Sequence, residues 1–178
     1  MNASLIVTLI GADRPGLVSA LAARAAAEGA NWLESSMAQL AGRFAGVVRL
    51  EIPQSRVAAL EASLRALELE GLRVTIEHGA TEPAAAAQTL KLSLLGHDRP
   101  GIVRDISAAL ARQGASISKL ETRCENASFS GEQLFRADME ITAPRDLNGP
   151  SLRSALEALA NELMVDLTME GGAGSTAP

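Results

Sequence analysis

The apolar and polar positions of the chain spell one short programme twice. "LIVTLIG", from Leu5 to Gly11, is an apolar run rich in β-branched residues, which predicts a strand. Leu17, Val18, Leu21, Ala22 and Ala25 then recur at helical spacing, and Gly29 closes the pattern as a glycine just past a helix end does. "NWLESSMAQL" and "RFAGVVRLEI" predict two strands joined by a tight turn near Gly42. "SRVAALEASLRALEL" predicts an amphipathic helix with Val57, Leu60, Leu64 and Leu67 on one side, and "GLRVTIEH" a last strand. The predicted order is βαββαβ.

The second half repeats it. "TLKLSLLGHDRPGIVRDISAALARQGASISKLE" aligns without a gap to "SLIVTLIGADRPGLVSALAARAAAEGANWLESS" at an offset of 85. Ile102, Val103, Ile106, Ala109 and Leu110 repeat the first helix, which ends at Gly114. "PSLRSALEALANEL" and "MVDLTME" supply the second helix and last strand, and the extra residues in "CENASFSGEQ" predict a longer hairpin loop. The expected fold class is therefore α+β: two ferredoxin-like βαββαβ units, each a four-stranded antiparallel sheet with two helices on one face. The other sheet face must be covered or polar. The expected boundaries are residues 1–80 and 89–171 for the two units, 81–88 for a linker and 172–178 for a disordered tail.

Composition narrows the function classes. With 2% aromatic residues, no Tyr, three Phe and one Trp, the core must be built from Leu, Ile, Val and Ala. An RNA-binding module of the same βαββαβ order needs aromatic side chains on its central strands, and neither copy has them. The net charge of −5 and a pI near 5.1 oppose contact with a phosphate backbone, so no direct nucleic-acid partner is expected. The lone Cys124 has no internal disulfide partner, which suits a reducing, cytoplasmic setting. The first residues, "MNASLIVTLIGADRPG", carry neither a basic leader nor an apolar run long enough for a signal or a span, so no membrane association is expected. Metal-ligand spacings, a phosphate-binding glycine loop and a nucleophile elbow are absent from the sequence, and no cofactor or catalytic residue is expected.

What remains is the duplicated octet, "GADRPGLV" and "GHDRPGIV". A strand ends at its first glycine and a helix is expected to begin near its proline, the residue best suited to a first helical position. The free amides of Gly16, Leu17 and the residues after them then form a site for a small anion such as a carboxylate, with Asp13 placed to take an ammonium group. Gly101, Ile102 and Asp98 repeat the arrangement. An α-amino acid carries both charges. The same residues also make a good helix-start turn without any ligand. Arg14 and Arg99 either hold a carboxylate or bridge to nearby acids. His97 stands where the first copy has Ala12 and is either an effector contact or an exposed loop residue. Trp32 either lines a cleft or packs on the sheet.

A βαββαβ unit with "DRPG" after its first strand and "GAN" leading into its second resembles an ACT domain, and two such copies resemble the glycine cleavage system transcriptional repressor family. The resemblance covers residues 3–171. It implies a non-catalytic regulator that binds a small amino acid, with glycine as the suggested effector, where the loop after strand one meets strand two of a neighbouring unit. Those positions are Asp13, Arg14, Gly16 and Leu17 with Asn31 and Trp32, and Asp98, Arg99, Gly101 and Ile102 with Ser116 and Ile117. "GAS" replaces "GAN" in the second copy, so the two sites are not expected to be equal. The resemblance further implies a protein transcription regulator as partner and a homodimer. A structural dimerisation module without an effector is the alternative, as is a fragment related to the ACT units of formyltetrahydrofolate deformylases.

Overall fold

The computed structural model describes residues 1–79, 87–126, 132–145 and 149–170, and the chain divides into two compact units, Met1–Pro83 and Ala84–Pro178. The expected linker lies outside the described residues except for positions 87 and 88, which already belong to a strand, and the expected tail lies wholly outside them.

In the first unit β1 (Asn2–Ala12), α1 (Leu17–Ala27), β2 (Asn31–Leu40), β3 (Arg43–Pro53), α2 (Val57–Arg65) and β4 (Leu72–His78) follow in order. The second has β5 (Ala87–His97), α3 (Ile102–Arg112), β6 (Ser116–Asn126), β7 (Gln133–Pro144), α4 (Gly149–Leu163) and β8 (Val165–Glu170). Each sheet is antiparallel, with strand orders β2-β3-β1-β4 and β6-β7-β5-β8. Both units are thus the ferredoxin-like α+β fold.

Alternation decides which face is covered. Leu5, Val7 and Leu9 of β1 are buried with Val48, Leu50 and Ile52 of β3, and they meet Leu17, Leu21 and Ala25 of α1 and Leu60 and Leu64 of α2. Leu90, Leu92 and Leu94 do the same in the second unit against Ile102, Ile106 and Leu110. Every expected inward residue of the second helix, Val57, Leu60, Leu64 and Leu67, is buried. That helix is shorter than its pattern predicts: 3-10 turns at Gln54–Arg56 and Ala66–Glu70 flank it, and Gly71 at φ 86° stops it.

Two expectations change. Val18 and Val103 follow the helical apolar spacing, yet they are 44% and 40% exposed. They lie on the outer margin of the inward stripe, beside the helix starts. The helices also do not begin at the prolines. Pro15 and Pro100 lie in the turns ahead of α1 and α3, whose caps are Gly16 and Gly101. Gly16 has φ 90° and ψ 0°, and Gly101 has φ 101° and ψ −9°. These are the dihedrals of the third residue of a type II turn, for which proline is favoured just before. "RPG" is therefore a turn that delivers the chain into the helix.

Gly11 and Gly96, which open the octets, have a different cause. A Cβ at Gly11 would stand 2.7 Å from the carbonyl oxygen of Gly71 and 2.9 Å from Leu72 Cδ2, and one at Gly96 would run into Val165. The glycines let β4 and β8 close against the central strands.

Candidate functional site

At the upper end of the first sheet, the loop after β1 is fastened on both sides. The Asp13 amide donates to the Gly42 carbonyl at 3.0 Å, tying the loop to the β2–β3 turn. Asp13 Oδ2 accepts from Gln39 Nε2 at 2.8 Å. Arg14 turns the other way: its Nη2 donates to the Glu70 carbonyl at 3.1 Å and lies 3.4 Å from the Glu70 carboxylate. Arg24 of α1 holds that carboxylate at 2.6 Å and also donates to the Ser63 carbonyl at 2.9 Å. The Arg24 hydrogen bond, with help from Arg14, holds the Glu70 carboxyl below its ordinary range. Of the two roles open to Arg14, bridging to an acid is the one the structure displays.

A lowered folded-state pKa means the Glu70 clasp contributes stability at neutral pH and loses it as acid protonates the carboxylate. Glu70→Gln is therefore expected to lower the melting temperature near neutral pH. The gap to wild type should close in acid, below the ordinary carboxylate range. Melting curves across pH check this; the exposed setting keeps the effect small.

Between these fastenings the start of α1 is open. No side chain caps it, its first turn holds no acidic residue, and a Cβ placed on Gly16 would meet nothing within 4 Å. The Gly16 carbonyl accepts from the Ala20 amide at 2.8 Å, so the amides before Ala20 have no intrahelical acceptor. The Leu17 side chain is buried in the core and can offer only its amide.

The second unit has the same backbone and a different occupancy. The Asp98 amide donates to the Gln133 carbonyl at 3.0 Å, and the Asp105 amide to the Gly101 carbonyl at 2.9 Å. Here, however, Asp105 lies in the first turn of α3. Arg104 Nε donates to its carboxylate at 2.8 Å, and a Cβ on Gly101 would meet Arg104 Nη2 at 3.1 Å and Asp105 Oδ2 at 3.6 Å. The hydrogen bond from Arg104, with the charges of Arg104 and Arg99, holds the Asp105 carboxyl below its ordinary range. The second helix start thus has an anion of its own, where the first has Ser19 and Ala20. The Ile102 side chain is core.

Cys124 takes the place of Gln39. Partial desolvation, then the charge and hydrogen bond of Asp98, push its thiol above the ordinary value, which disfavours a nucleophilic thiolate. His97 is exposed, ends β5 and lies 3.8 Å from Glu132. Its strand phase is that of Lys91, Ser93 and Leu95, on the face away from α3. Among the described residues no three His, Cys, Asp or Glu side chains gather as metal ligands, and no helix is long and apolar enough to cross a membrane.

Asn31 and Trp32 stand at the other end of the sheet. Asn31 pairs with Glu51, which pairs with Ser4, whereas Asp13 follows the far end of β1. Eight residues of strand at about 3.3 Å each separate these levels by about 26 Å. One unit alone therefore cannot bring Asp13 and Asn31 together. Trp32 is half-buried against the first core, and its indole N–H donates to Ser35 Oγ at 3.2 Å. Ser116 and Ile117 begin β6 likewise, Ser116 exposed and Ile117 packed against the second core. In both strands the register shifts one residue later, between Trp32 and Glu34 and between Ile117 and Lys119. The paired bulges leave Leu33 and Ser118 unpaired at equivalent positions. The polar, weakly alternating sequence of β2 gave no sign of them. Gln39, Glu70 and Asp105 were missed as well. Only Asp105 carried a readable signal, an acid in a predicted first helical turn.

Residues 3–77 match the model of the ACT domain family, and the second unit repeats the first in element order and strand order. The first unit is matched as an ACT domain, and the chain is a tandem of two units of that ferredoxin-like fold. It resembles the glycine cleavage system transcriptional repressor of Escherichia coli K12, with 24% identity over 163 residues that cover 89% of this chain and 85% of that protein. Among solved structures, a protein of unknown function from Galdieria sulphuraria is 29% identical with a TM-score of 0.84, covering 96% of this chain and 98% of its own. A crystal structure provisionally described as a glycine cleavage system transcriptional repressor has the same fold, with a TM-score of 0.74, 18% identity and coverage of 96% and 97%.

Proposed function

We propose that the protein is a non-catalytic, cytoplasmic regulator whose first ACT unit binds a small α-amino acid, glycine being the candidate suggested by the repressor likeness. The observation that carries this reading is the uncapped, unfilled start of α1 beside Asp13. The amides of Gly16, Leu17 and Val18 would take the carboxylate, and Asp13 would share its carboxylate between Gln39 and the ammonium group. Asn31 and Trp32 of a neighbouring ACT unit, from the same chain or a second copy, would complete the cleft. The exposed Val18 beside the helix start and the long exposed edge strand β2 give such a neighbour apolar surface and free backbone groups to engage.

The second helix start, with the Arg104–Asp105 pair in its first turn, serves as scaffold in this reading. A ligand carboxylate would have to displace a charge already paired with Arg104. Asp98, Arg99, Gly101, Ile102, Ser116, Ile117 and His97 accordingly hold the second unit in shape. The effector acts by preferring one arrangement of units over another, and a DNA-binding regulator is the protein that receives the signal. The acidic surface favours contact with a protein over contact with DNA.

A thermal-shift screen of the full chain against the proteinogenic amino acids tests this. At 100 times its dissociation constant a bound effector should add about 2.7 kcal/mol of stability. A stabilising shift confined to small α-amino acids is the expected result. No shift with any of them would leave a dimerisation module without an effector.

A further inference from the structure

The two sheets carry contrasting outer faces. In the second unit the face turned away from the helices is charged: Lys91, Arg123, Arg136 and Asp138 share it. Arg123 lies 3.9 Å from Asp138, Arg136 lies 3.3 Å from Glu125, and Ser93 Oγ donates to Asp138 at 2.8 Å. At the equivalent positions the first unit has Ile6, Ala38, Ala45 and Val47. Its outer face is apolar and small at the centre, with Ile10 46% and Val47 39% exposed. A shallow depression of about 370 Å³ runs across it, lined among others by Thr8, Ile10, Ala38, Val47 and Thr75.

Unpaired charge on this face is sorted by end, while Arg49 lies 4.0 Å from Glu34. Arg43 and Arg73 stand at the level of the β2–β3 turn, and Glu51 and Glu77 toward the opposite end. None of these four has an ion partner among the described residues. We propose that this face is the docking surface for a second copy of the chain, first unit against first unit, related by a two-fold axis that crosses the strands at the level of Thr8 and Thr75.

The register makes the face complementary to itself about that axis. Thr8, Val47 and Thr75 share the central row. One step to either side, the row of Ile10, Ala45 and Arg73 faces the row of Ile6, Arg49 and Glu77. Isoleucine then meets isoleucine, the long Arg49 lies over the small Ala45, and Arg73 meets Glu77. One step further, Arg43 faces Glu51. Packed sheets keep their strand directions within about 30°, so these pairings hold near the axis and loosen outward. Four strands about 4.8 Å apart and about 26 Å long give roughly 500 Å² on each copy, near the ~1,000 Å² total that a specific interface needs. The charged face of the second unit is unsuited to the same packing, because its ion pairs would lose their water.

The proposal is independent of the effector reading. Sedimentation analysis of the full chain tests it. The wild-type chain is expected to be a dimer, and Val47→Asp a monomer with an unchanged circular dichroism spectrum. Thr168→Asp, the same charge on the second unit's face, should leave the dimer intact. Arg73→Glu and Glu77→Arg should each weaken the dimer at least tenfold, and the double variant should restore it. These exposed charge swaps keep the test valid if Val47→Asp fails to fold. A monomeric wild type, a dimer that survives Val47→Asp in folded form, or charge swaps without effect or without mutual rescue would each overturn the proposal.

Discussion

Moving the Arg104–Asp105 pair into the first unit, as Ser19→Arg with Ala20→Asp, is expected to abolish amino-acid binding. The backbone at the two helix starts is nearly the same: both caps are left-handed glycines, and neither is capped by a side chain. The difference is the carboxylate of Asp105, held by Arg104 in the first turn of α3. A helix start favours one anion, and a tethered one is always at hand. The graft should lower affinity at least a hundredfold, about 2.7 kcal/mol, while leaving the fold intact, because Ser19 is exposed and Ala20 is half-buried at the core's edge, as Asp105 is half-buried at the equivalent position of the second unit. The reciprocal change, Arg104→Ser with Asp105→Ala, should raise the number of sites per chain from one to two. Equilibrium dialysis with labelled amino acid counts them. Unaltered binding in the grafted chain would mean that the ligand does not use the start of α1.

The second large effect concerns stability. Gly11→Ala is expected to destabilise the first unit by about 1–3 kcal/mol, as overpacking at a closed site does. Its Cβ would press on a backbone oxygen of Gly71, which cannot rotate away as a side chain could. For a unit of this size that corresponds to a melting temperature lower by roughly 4–8 °C per kcal/mol. Gly16→Ala offers the contrast. There the new Cβ meets nothing, and the cost is the left-handed backbone, about 1–2 kcal/mol. The methyl would also enter the mouth of the cradle. Gly11→Ala should therefore destabilise without touching ligand contacts, and Gly16→Ala should impair binding beyond its effect on stability. Parallel unfolding and binding measurements on both variants separate the two roles of glycine within one octet.

The fold was legible because two periods were written clearly and then repeated. Leu5, Val7 and Leu9 alternate, and Leu17, Leu21 and Ala25 recur every fourth residue, so strand, helix and buried face followed from spacing. Local chemistry was read less well. Pro15 suited a first helical position on general grounds, but the left-handed Gly16 behind it made the pair a turn. Val18 fell at an apolar helical spacing, yet the inward stripe is narrower than the pattern and leaves it in solvent. The bulges of β2 and β6 lie in strands too polar for alternation to register a slip. Long-range partnerships left no local trace: Gln39 reaches Asp13 and Glu70 reaches Arg14 only because the sheet brings distant segments together. The contrast between the two outer faces was latent in the alignment, where Ile6 stands against Lys91, but it took the strand register to place those residues beside Val47 and Asp138.

The octet thus does two things in sequence. Its first glycine lets the last strand close, and its proline and second glycine turn the chain into a helix whose first turn is free of acidic side chains in one copy and carries the Arg104–Asp105 pair in the other. Amide-resolved nuclear magnetic resonance of the full chain, titrated with small α-amino acids, tests that account most directly. Saturable shifts at the amides of Gly16, Leu17 and Val18, with Gly101 and Ile102 unmoved, are the predicted result. A ligand that stabilises the protein while leaving the Gly16 amide in place, or no response to any amino acid, would contradict it.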